Sequence, residues 1–427
     1  KEIGVINYVV WSEVFLCTEC NNDINFWDSA VKGLEVNSEF NCLSCGTLLN
    51  KRKLEKKWET TMDIDSNEVS KKIVYKPVFI NYKVDKKSFE KPCDEYDLNL
   101  IDKTENYDLQ GIKQLNNFFQ KGDKTREFSN KGINKLKDLY TKRTLIILSE
   151  LYGELRTKEQ KALFTASIVN LSKTARYKFK RSGNVPMSGT IYVSSLIAES
   201  NVFNAFNSKI KAMNKAYNLL SDNQKNLNGV NSATCLENIK SNSIDYLFVD
   251  PPFGANLMYS ELSSHWENWL NIKTNIVKEA IENRVQRKTT FDYQILIQQS
   301  FLEFFRVLKP GKWMTVEFSN TSAAVWNTIQ NSINQAGFYI LNVITNDNTR
   351  GGLHAMLGPT AVKQNLIINC FKPKGKINRE KKAFSENSII DLTNEILRHL
   401  PISILREQSR INIYERTHKI LYDKLLT

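Results

Sequence analysis

The 427-residue sequence has no uninterrupted apolar segment close to the roughly 20 residues that a membrane-spanning helix requires. Its first residues, KEIGVINYVVWSEVF, contain no small-residue cleavage site of the kind that ends a secretory signal peptide. We therefore expect no membrane partner and predict a cytoplasmic location. The sequence begins with Lys1 rather than Met, which indicates a fragment or a processed chain.

Glycine-rich phosphate loops are also missing. The sequence contains 17 glycines but no Gly-x-Gly anywhere, and its one adjacent pair is Gly351-Gly352. No Ser-His-Asp arrangement and no internal repeat is visible either. The sequence therefore gives no sign of a phosphate loop, a catalytic triad or a repeat architecture.

Basic residues dominate the charge. Lys and Arg number 59 against 46 Asp and Glu, which gives a formal net charge of +13 and a pI of about 9.2. Such an excess favours a polyanionic partner, usually nucleic acid. The alternative is the Lys-, Asn- and Ile-rich composition that an AT-rich genome imposes. An apolar fraction of 41% with 22 Phe argues for a globular core, and the length suits two or three domains.

Four of the seven cysteines form two close pairs, Cys17 with Cys20 and Cys42 with Cys45, with 21 residues between the pairs. In a chain without an export signal, such pairs predict metal binding rather than disulfides. Each Cys-x-x-Cys turn aims two thiolates at one ion, and two turns complete a tetrahedral zinc site. Gly46 suits the second turn. A four-cysteine site has no open position, so we predict a structural zinc; the alternatives are four buried free thiols or a redox pair.

The pattern of the chain changes along its length. We predict a four-cysteine zinc ribbon at 1–60, a mixed β and helical insertion with possible DNA contacts at 61–228, and a helical extension at 376–427. The insertion includes two amphipathic helices with a break near Thr157. Between them, 229–375 alternates buried strands with helices and ends in two strands. This order predicts the second half of a doubly wound α/β sheet closed by an antiparallel hairpin.

One strand of the α/β region ends in Asp250-Pro251-Pro252-Phe253. The preceding run, SIDYLFV, is apolar throughout and predicts a strand that is buried on both faces. Ligands of open α/β sheets bind beyond the carboxyl ends of the strands. The two prolines stiffen the loop and donate no hydrogen bond, while their carbonyl oxygens stay available as acceptors. The bland alternative is a strand followed by a proline-rich turn.

These four residues suit the amino group of a planar base. The Asp250 carboxylate and the Pro251 carbonyl are placed to accept both hydrogens of one –NH₂ group, and the Phe253 ring offers a stacking surface. Stacking of a base on such a ring contributes about 1–3 kcal/mol. Because a base inside duplex DNA cannot reach a pocket of this kind, the target base must be flipped out.

The Asp-Pro-Pro-Phe stretch resembles the catalytic motif of the amino-methyltransferases that act on DNA. Similarity to large bacterial DNA methylases with a zinc-binding insertion extends over most of the chain. It is carried by SIDYLFVDPPFGANLMYSELSSHWENWL, FFRVLKPGKWMTVEFSN, GPTAVKQNLIINCFKP, INYVVWSEVFLCTEC, LYTKRTLIILSELY and SGTIYVSSLIAE.

The resemblance implies an α/β fold with a Rossmann-like S-adenosylmethionine-dependent methyltransferase sheet, partial in this chain. That sheet would be parallel with a C-terminal antiparallel hairpin, beside a zinc ribbon and a helical insertion. It also implies direct methyl transfer from S-adenosylmethionine to an exocyclic amino group of DNA, with Asp250, Pro251, Pro252 and Phe253 as the catalytic pocket. Asp rather than Ser before the prolines favours adenine N6 over cytosine.

The sequence departs from that family in its cofactor site. The glycine-rich turn that binds S-adenosylmethionine is missing, and the acidic residue expected before the catalytic strand is replaced by Asn231 and Ser232. We expect the part of the protein with most of the cofactor site to lie outside this chain. Asp250 and Ser232 are the cofactor contacts that we assign here, and we predict weak or no binding of S-adenosylmethionine by the chain alone.

Two rival functions stay open: an amino-methyltransferase acting on RNA or protein, and a zinc-ribbon nucleic-acid-binding protein that does not methylate. Neither the recognition sequence nor the oligomeric state follows from the sequence. Two basic segments, 176–183 and 283–293, are further candidates for DNA contacts. Tyr259 and Glu261 are expected near the catalytic loop, whereas Trp269 is expected to pack in the core.

Overall fold

The computed structural model describes residues 4–63, 68–105, 107, 109, 112–179, 184–219, 226–318, 323–347 and 364–375. The glycine pair Gly351-Gly352 and the predicted helices of 376–427 lie outside these residues. The chain divides into two compact units. The first contains Lys1–Asn226 and Met258–Asn275, and the second contains Leu227–Leu257 and Ile276–Thr427. The predicted division into four segments stays a prediction.

The first unit contains twelve strands and seven helices in its described part. The strands are β1 Val5–Leu16, β2 Asp23–Asn25, β3 Val31–Lys32, β4 Glu35–Val36, β5 Glu39–Asn41, β6 Leu48–Asn50, β7 Glu55–Lys56, β8 Trp58–Asp63, β9 Glu68–Ile73, β10 Tyr75–Val84, β11 Lys87–Pro92 and β12 Leu196–Ser200. The helices are α1 Phe26–Ala30, α2 Glu95–Glu105, α3 Arg126–Ser129, α4 Lys142–Gly153, α5 Lys158–Ile168, α6 Val202–Tyr217 and α7 Tyr259–Leu270. Single 3-10 turns occur at Lys51–Lys53, Lys113–Asn116, Leu136–Leu139 and Val169–Leu171.

The main sheet of the first unit is antiparallel, with the strand order β11-β10-β1-β12. The long strand β1 continues past this sheet, and its last residues pair with β2 and β7 of the cysteine-containing region. Helices α4 to α7 surround a core that includes Leu136, Leu148, Phe164 and Trp269, all fully buried. One strand therefore belongs both to the main sheet and to the small sheet beside the cysteines.

The predicted break between two helices near Thr157 is confirmed. Thr157 is the N-cap of α5, and its side chain accepts a hydrogen bond from the Gln160 amide while the Gln160 side chain accepts one from the Thr157 amide. This reciprocal capping box satisfies amide groups that the first turn of a helix leaves without partners. The helix therefore starts where its sequence supplies a cap.

The second unit is a mixed α/β fold in which helices pack on a four-stranded sheet. Its described elements are β13 Ile244–Val249, α8 Thr290–Val307, β14 Leu308–Phe318, α9 Ala323–Ala336, β15 Tyr339–Asp347, β16 Gln364–Phe371 and a 3-10 turn at Ile276–Lys278. The strand order is β13-β14-β16-β15, with β13 parallel to β14 and with β16 antiparallel to both of its neighbours. The sheet thus has the parallel pair and the antiparallel hairpin that the sequence predicts.

Helices α8 and α9 bury one face of this sheet. Phe301 of α8 and Ile333 of α9 pack in one cluster with Met314, Val316 and Ile368 from the strands. Apolar side chains at alternate strand positions face the helices, as the two-residue period of a strand requires. None of the described helices in either unit is both long and apolar enough to cross a membrane.

The prediction that β13 is buried on both faces is wrong for the described part of the chain. The strand lies at the edge of the sheet with β14 as its one neighbour there, and Tyr246 and Phe248 are 54% and 60% exposed. Ile244, Leu247 and Val249 of this strand pack against the helix-covered core. A continuous apolar run reports residue type alone, and it does not reveal whether a second layer covers the other face.

Candidate active-site loop and metal centre

The loop 250–253 starts directly after β13, at the carboxyl end of the parallel strand pair. Asp250 is exposed, Pro251 is buried, and Phe253 is partly buried. Gly254 follows with φ +62°, a left-handed conformation that favours glycine and turns the chain immediately after Phe253. The carboxylate of Asp250 is thus presented at the edge where ligands of open α/β sheets bind.

Contacts within the second unit hold this loop in place. The hydroxyl of the fully buried Tyr293, on α8, donates a hydrogen bond of 2.8 Å to the Pro252 carbonyl. The Phe253 ring packs at a steep angle against Phe318 at the end of β14, with 5.6 Å between ring centroids. Because Tyr293 belongs to α8 and Phe318 to β14, the position of the loop depends on contacts with these two elements. Proline stiffness alone does not account for its position.

A second carboxylate lies near Asp250. Partial desolvation by the surrounding protein raises the pKa of the Asp250 carboxyl, and the charge of Glu317 on β14 raises it further. Glu317 is oriented by Asn365 of β16, whose side-chain amide donates to the glutamate oxygen over 2.8 Å. Sequence reasoning missed both Glu317 and Tyr293, because each occurs inside a largely apolar strand or helix. For Glu317, the one feature of the sequence that could have indicated a role is its position near the carboxyl end of β14, which is parallel to β13.

A row of polar side chains crosses the sheet on the face opposite the helices. The Tyr246 hydroxyl donates to Thr315 (2.7 Å), the Thr315 hydroxyl donates to Asn369 (2.8 Å), and the Asn369 amide donates to Asn342 (2.7 Å). One residue from each strand takes part, in the order β13, β14, β16, β15. The row ties the strand that carries Asp250 to the rest of the sheet.

The predicted cofactor residue Ser232 lies in a turn-rich segment before β13. Its hydroxyl is 2.8 Å from that of Thr234. Arg306 of α8 anchors the same segment by donating to the Leu236 and Ile239 carbonyls. This segment has no glycine-rich turn, and the whole sequence has no Gly-x-Gly. The sequence therefore lacks the glycine-rich turn that the resemblance implies for S-adenosylmethionine.

The four paired cysteines meet at one point in the first unit. Their Sγ atoms all lie within 4.8 Å of one another. Two of the Sγ–Sγ distances are 3.7 Å, between Cys17 and Cys45, and 3.8 Å, between Cys20 and Cys42. A tetrahedron of thiolates with Zn–S bonds of about 2.3 Å has edges of about 3.8 Å. The cysteine cluster fits a zinc ion.

The two cysteine turns have the same backbone geometry. The amide of Asn21 donates to the Cys17 carbonyl over 3.0 Å, and the amide of Gly46 donates to the Cys42 carbonyl over 2.9 Å. Asn21 and Gly46 occupy equivalent positions after each pair, with φ of +56° and +75°. Asn and Gly are the residues that tolerate this left-handed conformation best. The sequence marks the second turn through Gly46, whereas the first depends on an asparagine.

Two aromatic residues of the basic segment 176–183 pack against the cysteine-containing region. Tyr177 and Phe179 pack against Trp27, with ring centroids 5.7 Å apart in both cases. Positions 180–183 lie outside the described residues. The aromatic half of this segment therefore serves packing, and the proposed phosphate contacts of its basic residues stay a prediction.

Helix α7 is buried in the first unit, and its acidic residue has a structural role there. Glu261 is fully buried and accepts hydrogen bonds from the amides of Lys124 and Thr125 at 2.6 and 2.8 Å, just before α3. Trp269 is fully buried, which confirms its expected packing role. Tyr259 is partly exposed at the start of the helix.

The second basic segment, 283–293, packs beside the loop 250–253 within the second unit. The Lys288 ammonium donates to the carbonyls of Ile276 and Glu279. Arg284 and Arg287 are exposed. The Lys288 ammonium is thus occupied by backbone carbonyls of the preceding loop. The two exposed arginines are the basic side chains of this segment that remain candidates for DNA contacts.

Similarity to known proteins is limited to weak resemblances among solved structures. No family model and no curated protein matches the sequence. Among solved structures, a presumptive DNA modification methylase from Thermus thermophilus is 16% identical with a TM-score of 0.22, covering 40% of this chain and 62% of that one. A complex of M1.HpyAVI with SAM is 13% identical, with a TM-score of 0.17 and coverages of 34% and 51%. A SAM-dependent methyltransferase from Methanosarcina mazei is 12% identical, with a TM-score of 0.22 and coverages of 39% and 78%.

These similarities are partial. The chain spans about three fifths of the length of the Thermus thermophilus structure. A [4+2]-cyclase, SpnF, matches with the same TM-score of 0.22. Structural similarity at this level does not indicate an activity for this chain.

Proposed function

We propose that this chain provides the target-base half of an S-adenosylmethionine-dependent DNA methyltransferase. Its target would be an exocyclic base amino group, with adenine N6 preferred. The observation that carries this proposal is the loop 250–253, presented at the carboxyl end of a parallel strand and held there by the hydrogen bond from Tyr293 to Pro252.

The chemistry of the loop follows from its acceptors. The Asp250 carboxylate and the Pro251 carbonyl each accept one hydrogen of the target –NH₂ group, which draws its nitrogen toward tetrahedral geometry and localises its lone pair. Phe253 stacks on the flipped base and fixes its plane. Acceptors that are already in position contribute by orientation and electrostatics, without reorganisation during the reaction. S-adenosylmethionine would supply the methyl group, and the residues that bind it are not identified in this chain beyond Asp250 and Ser232.

DNA is the proposed partner for two reasons. The net charge of +13 suits a polyanion, and a structural zinc ribbon beside a basic insertion suits a protein that acts on nucleic acid. We retain the ribbon at 1–60, the insertion at 61–228, the catalytic region at 229–375 and the extension at 376–427 as parts of this proposal. Asp before the two prolines is the reason to prefer adenine.

Methyl incorporation tests the proposal. The protein, expressed with any coding sequence that precedes Lys1 in its gene, is incubated with radiolabelled S-adenosylmethionine and unmethylated genomic DNA, total RNA or a protein extract. We expect incorporation into DNA as N6-methyladenine, and none with Asp250→Ala. Incorporation into RNA or protein alone would replace DNA as the substrate, and no incorporation into any of them would refute the enzyme.

A second candidate function has one observation in its favour. The absence of Gly-x-Gly from all 427 residues suits a nucleic-acid-binding protein that does not methylate. It predicts DNA binding without methyl incorporation, whereas the enzyme predicts both. Measuring binding and incorporation on the same preparation separates the two candidates.

A further inference from the structure

A large cleft opens within the first unit, away from the cysteine turns. It has a volume of about 2330 Å³ and is lined by the β8–β9 hairpin, helix α2, the 3-10 turn Lys113–Asn116 and the start of α4. Pockets for small ligands occupy roughly 300–1,000 Å³. The size of this cleft therefore favours a segment of a macromolecule over a metabolite.

Lysines dominate the charge of the cleft. Eight lysines and four acidic residues line it, an excess of four positive charges. Three of these lysines, Lys71, Lys113 and Lys142, form no ion pair with any residue that the structure describes. Elsewhere in the same unit a buried lysine is matched, since Lys131 pairs with Glu13 at 2.8 Å. Unmatched lysines along a groove suit an anionic ligand that runs along it.

Two further lysines that line the cleft both contact Asp138. The Lys72 ammonium lies 2.9 Å from the Asp138 carboxylate, and the Lys173 ammonium donates to the Asp138 carbonyl over 2.9 Å. Burial lowers the pKa of Lys173 to about 8, and the nearby charge of Lys72 contributes to that shift. Asp138 contacts both cations, Lys72 through its carboxylate and Lys173 through its backbone carbonyl, and an added anion would be attracted by both lysines.

The start of α4 adds hydrogen-bond donors to the cleft. Its N-cap, Thr141, makes no capping hydrogen bond, and the Thr141 hydroxyl has no partner among the described residues. No acidic residue occupies the first turn, and Lys142 begins the helix. Thr141 and Lys142 both line the cleft. The free amides and positive dipole end of a helix attract a phosphate group, and lysine is a common second contact.

We propose that this lysine cleft binds the sugar–phosphate backbone of nucleic acid, with one phosphate at the start of α4 between Lys142 and Lys173. The inference rests on the proposed function insofar as it takes DNA as the natural ligand, and it deepens that function by naming the surface that holds the polymer. The cleft makes no base contacts in this assignment, so it contributes affinity and salt dependence without sequence preference.

The test compares two triple variants of the full chain. Lys71→Gln, Lys113→Gln and Lys142→Gln are combined in the cleft variant. The matched control combines Lys86→Gln, Lys211→Gln and Lys215→Gln, which are exposed and lie outside the cleft. Each variant loses three positive charges. Binding of a fluorescent mixed-sequence duplex is measured by anisotropy between about 50 and 200 mM salt, without methyl donor.

We expect the slope of log K against log salt to fall by about 2–3 in the cleft variant, since each lost phosphate contact removes about 0.9. The control should keep the wild-type slope. Equal slopes in the two variants, or no binding of any nucleic acid by the wild type, would overturn the proposal. An RNA duplex bound as tightly as DNA supports recognition of the backbone. The single variants Lys71→Gln and Lys113→Gln, each expected to lower the slope by about 1, replace the triple variant if it does not fold.

The binding result is independent of catalysis. A chain that binds DNA through these lysines but incorporates no methyl group keeps the cleft and refutes the enzyme. A chain that methylates DNA with unchanged salt dependence in the cleft variant keeps the enzyme and refutes the cleft.

Discussion

The hydrogen bond from Tyr293 to the Pro252 carbonyl gives the sharpest test of how the loop 250–253 is held in place. Tyr293→Phe removes one hydroxyl and leaves a ring that still fills its buried site. A neutral hydrogen bond contributes about 0.5–1.5 kcal/mol to stability, and a buried acceptor left without its donor costs about 1–3 kcal/mol. Because the Pro252 carbonyl is in a loop, where water can replace part of the lost bond, we expect a loss of about 1 kcal/mol.

The loop should respond more strongly than the fold. Hydrogen exchange of the peptide that spans residues 254–262 should accelerate in Tyr293→Phe, because the turn after Phe253 loses its anchor. Methyl transfer by the protein expressed with any coding sequence that precedes Lys1, measured in a single turnover, should fall by up to about ten-fold, which corresponds to about 1.4 kcal/mol of lost orientation.

Tyr246→Phe is the matched control. It also removes a tyrosine hydroxyl from the second unit, the one that donates to Thr315 over 2.7 Å, but it leaves the hydrogen bond to Pro252 intact. We expect a comparable or smaller loss of stability, with no change in exchange of the loop. If Tyr293→Phe keeps wild-type exchange and activity, or if both variants alter the loop equally, Tyr293 is not its anchor.

Four further predictions concern single sites. Asp250→Ala should abolish methylation yet leave zinc content and unfolding unchanged, because Asp250 is exposed; measurable residual activity would contradict its role. Metal analysis should find about one zinc per chain, and Cys42→Ser should lower that content together with the stability of the first unit. Burial lowers the pKa of His265 from 6.5 to about 4, so the unfolded state takes up a proton first as the pH falls. The free energy of unfolding should therefore drop by up to about 3 kcal/mol between these pH values, and His265→Phe should flatten that drop. Calorimetric titration of the chain with S-adenosylmethionine should show no micromolar binding.

Local chemistry is what the sequence predicted best. The two cysteine turns depend on residues within five positions of one another, and the start of α5 depends on Thr157 and Gln160. The parallel pair with its hairpin followed from the alternation of strand and helix patterns. In each case the deciding interactions are short in sequence or repeat at a fixed period.

Interactions between distant residues escaped prediction for a physical reason. Tyr293 and Pro252 are 41 positions apart, and a tyrosine in an amphipathic helix has the same pattern whether or not its hydroxyl reaches a loop. The exposed face of β13 was missed because Tyr246 and Phe248 are as apolar as core residues. The buried role of Glu261 was not foreseen either, because its carboxylate accepts from the Lys124 and Thr125 backbone amides, which only the fold brings close.

The continuity of strand β1 determines how the first unit should unfold. Because one continuous strand pairs with β10 and β12 over most of its length and with β2 and β7 at its end, the ribbon is not a detachable module. Metal loss should be transmitted along β1 into the main sheet, so that the two sheets melt in a single cooperative step. Deleting or transplanting the ribbon would leave that strand without partners at its end, which makes the ribbon an integral part of its host rather than an appended finger.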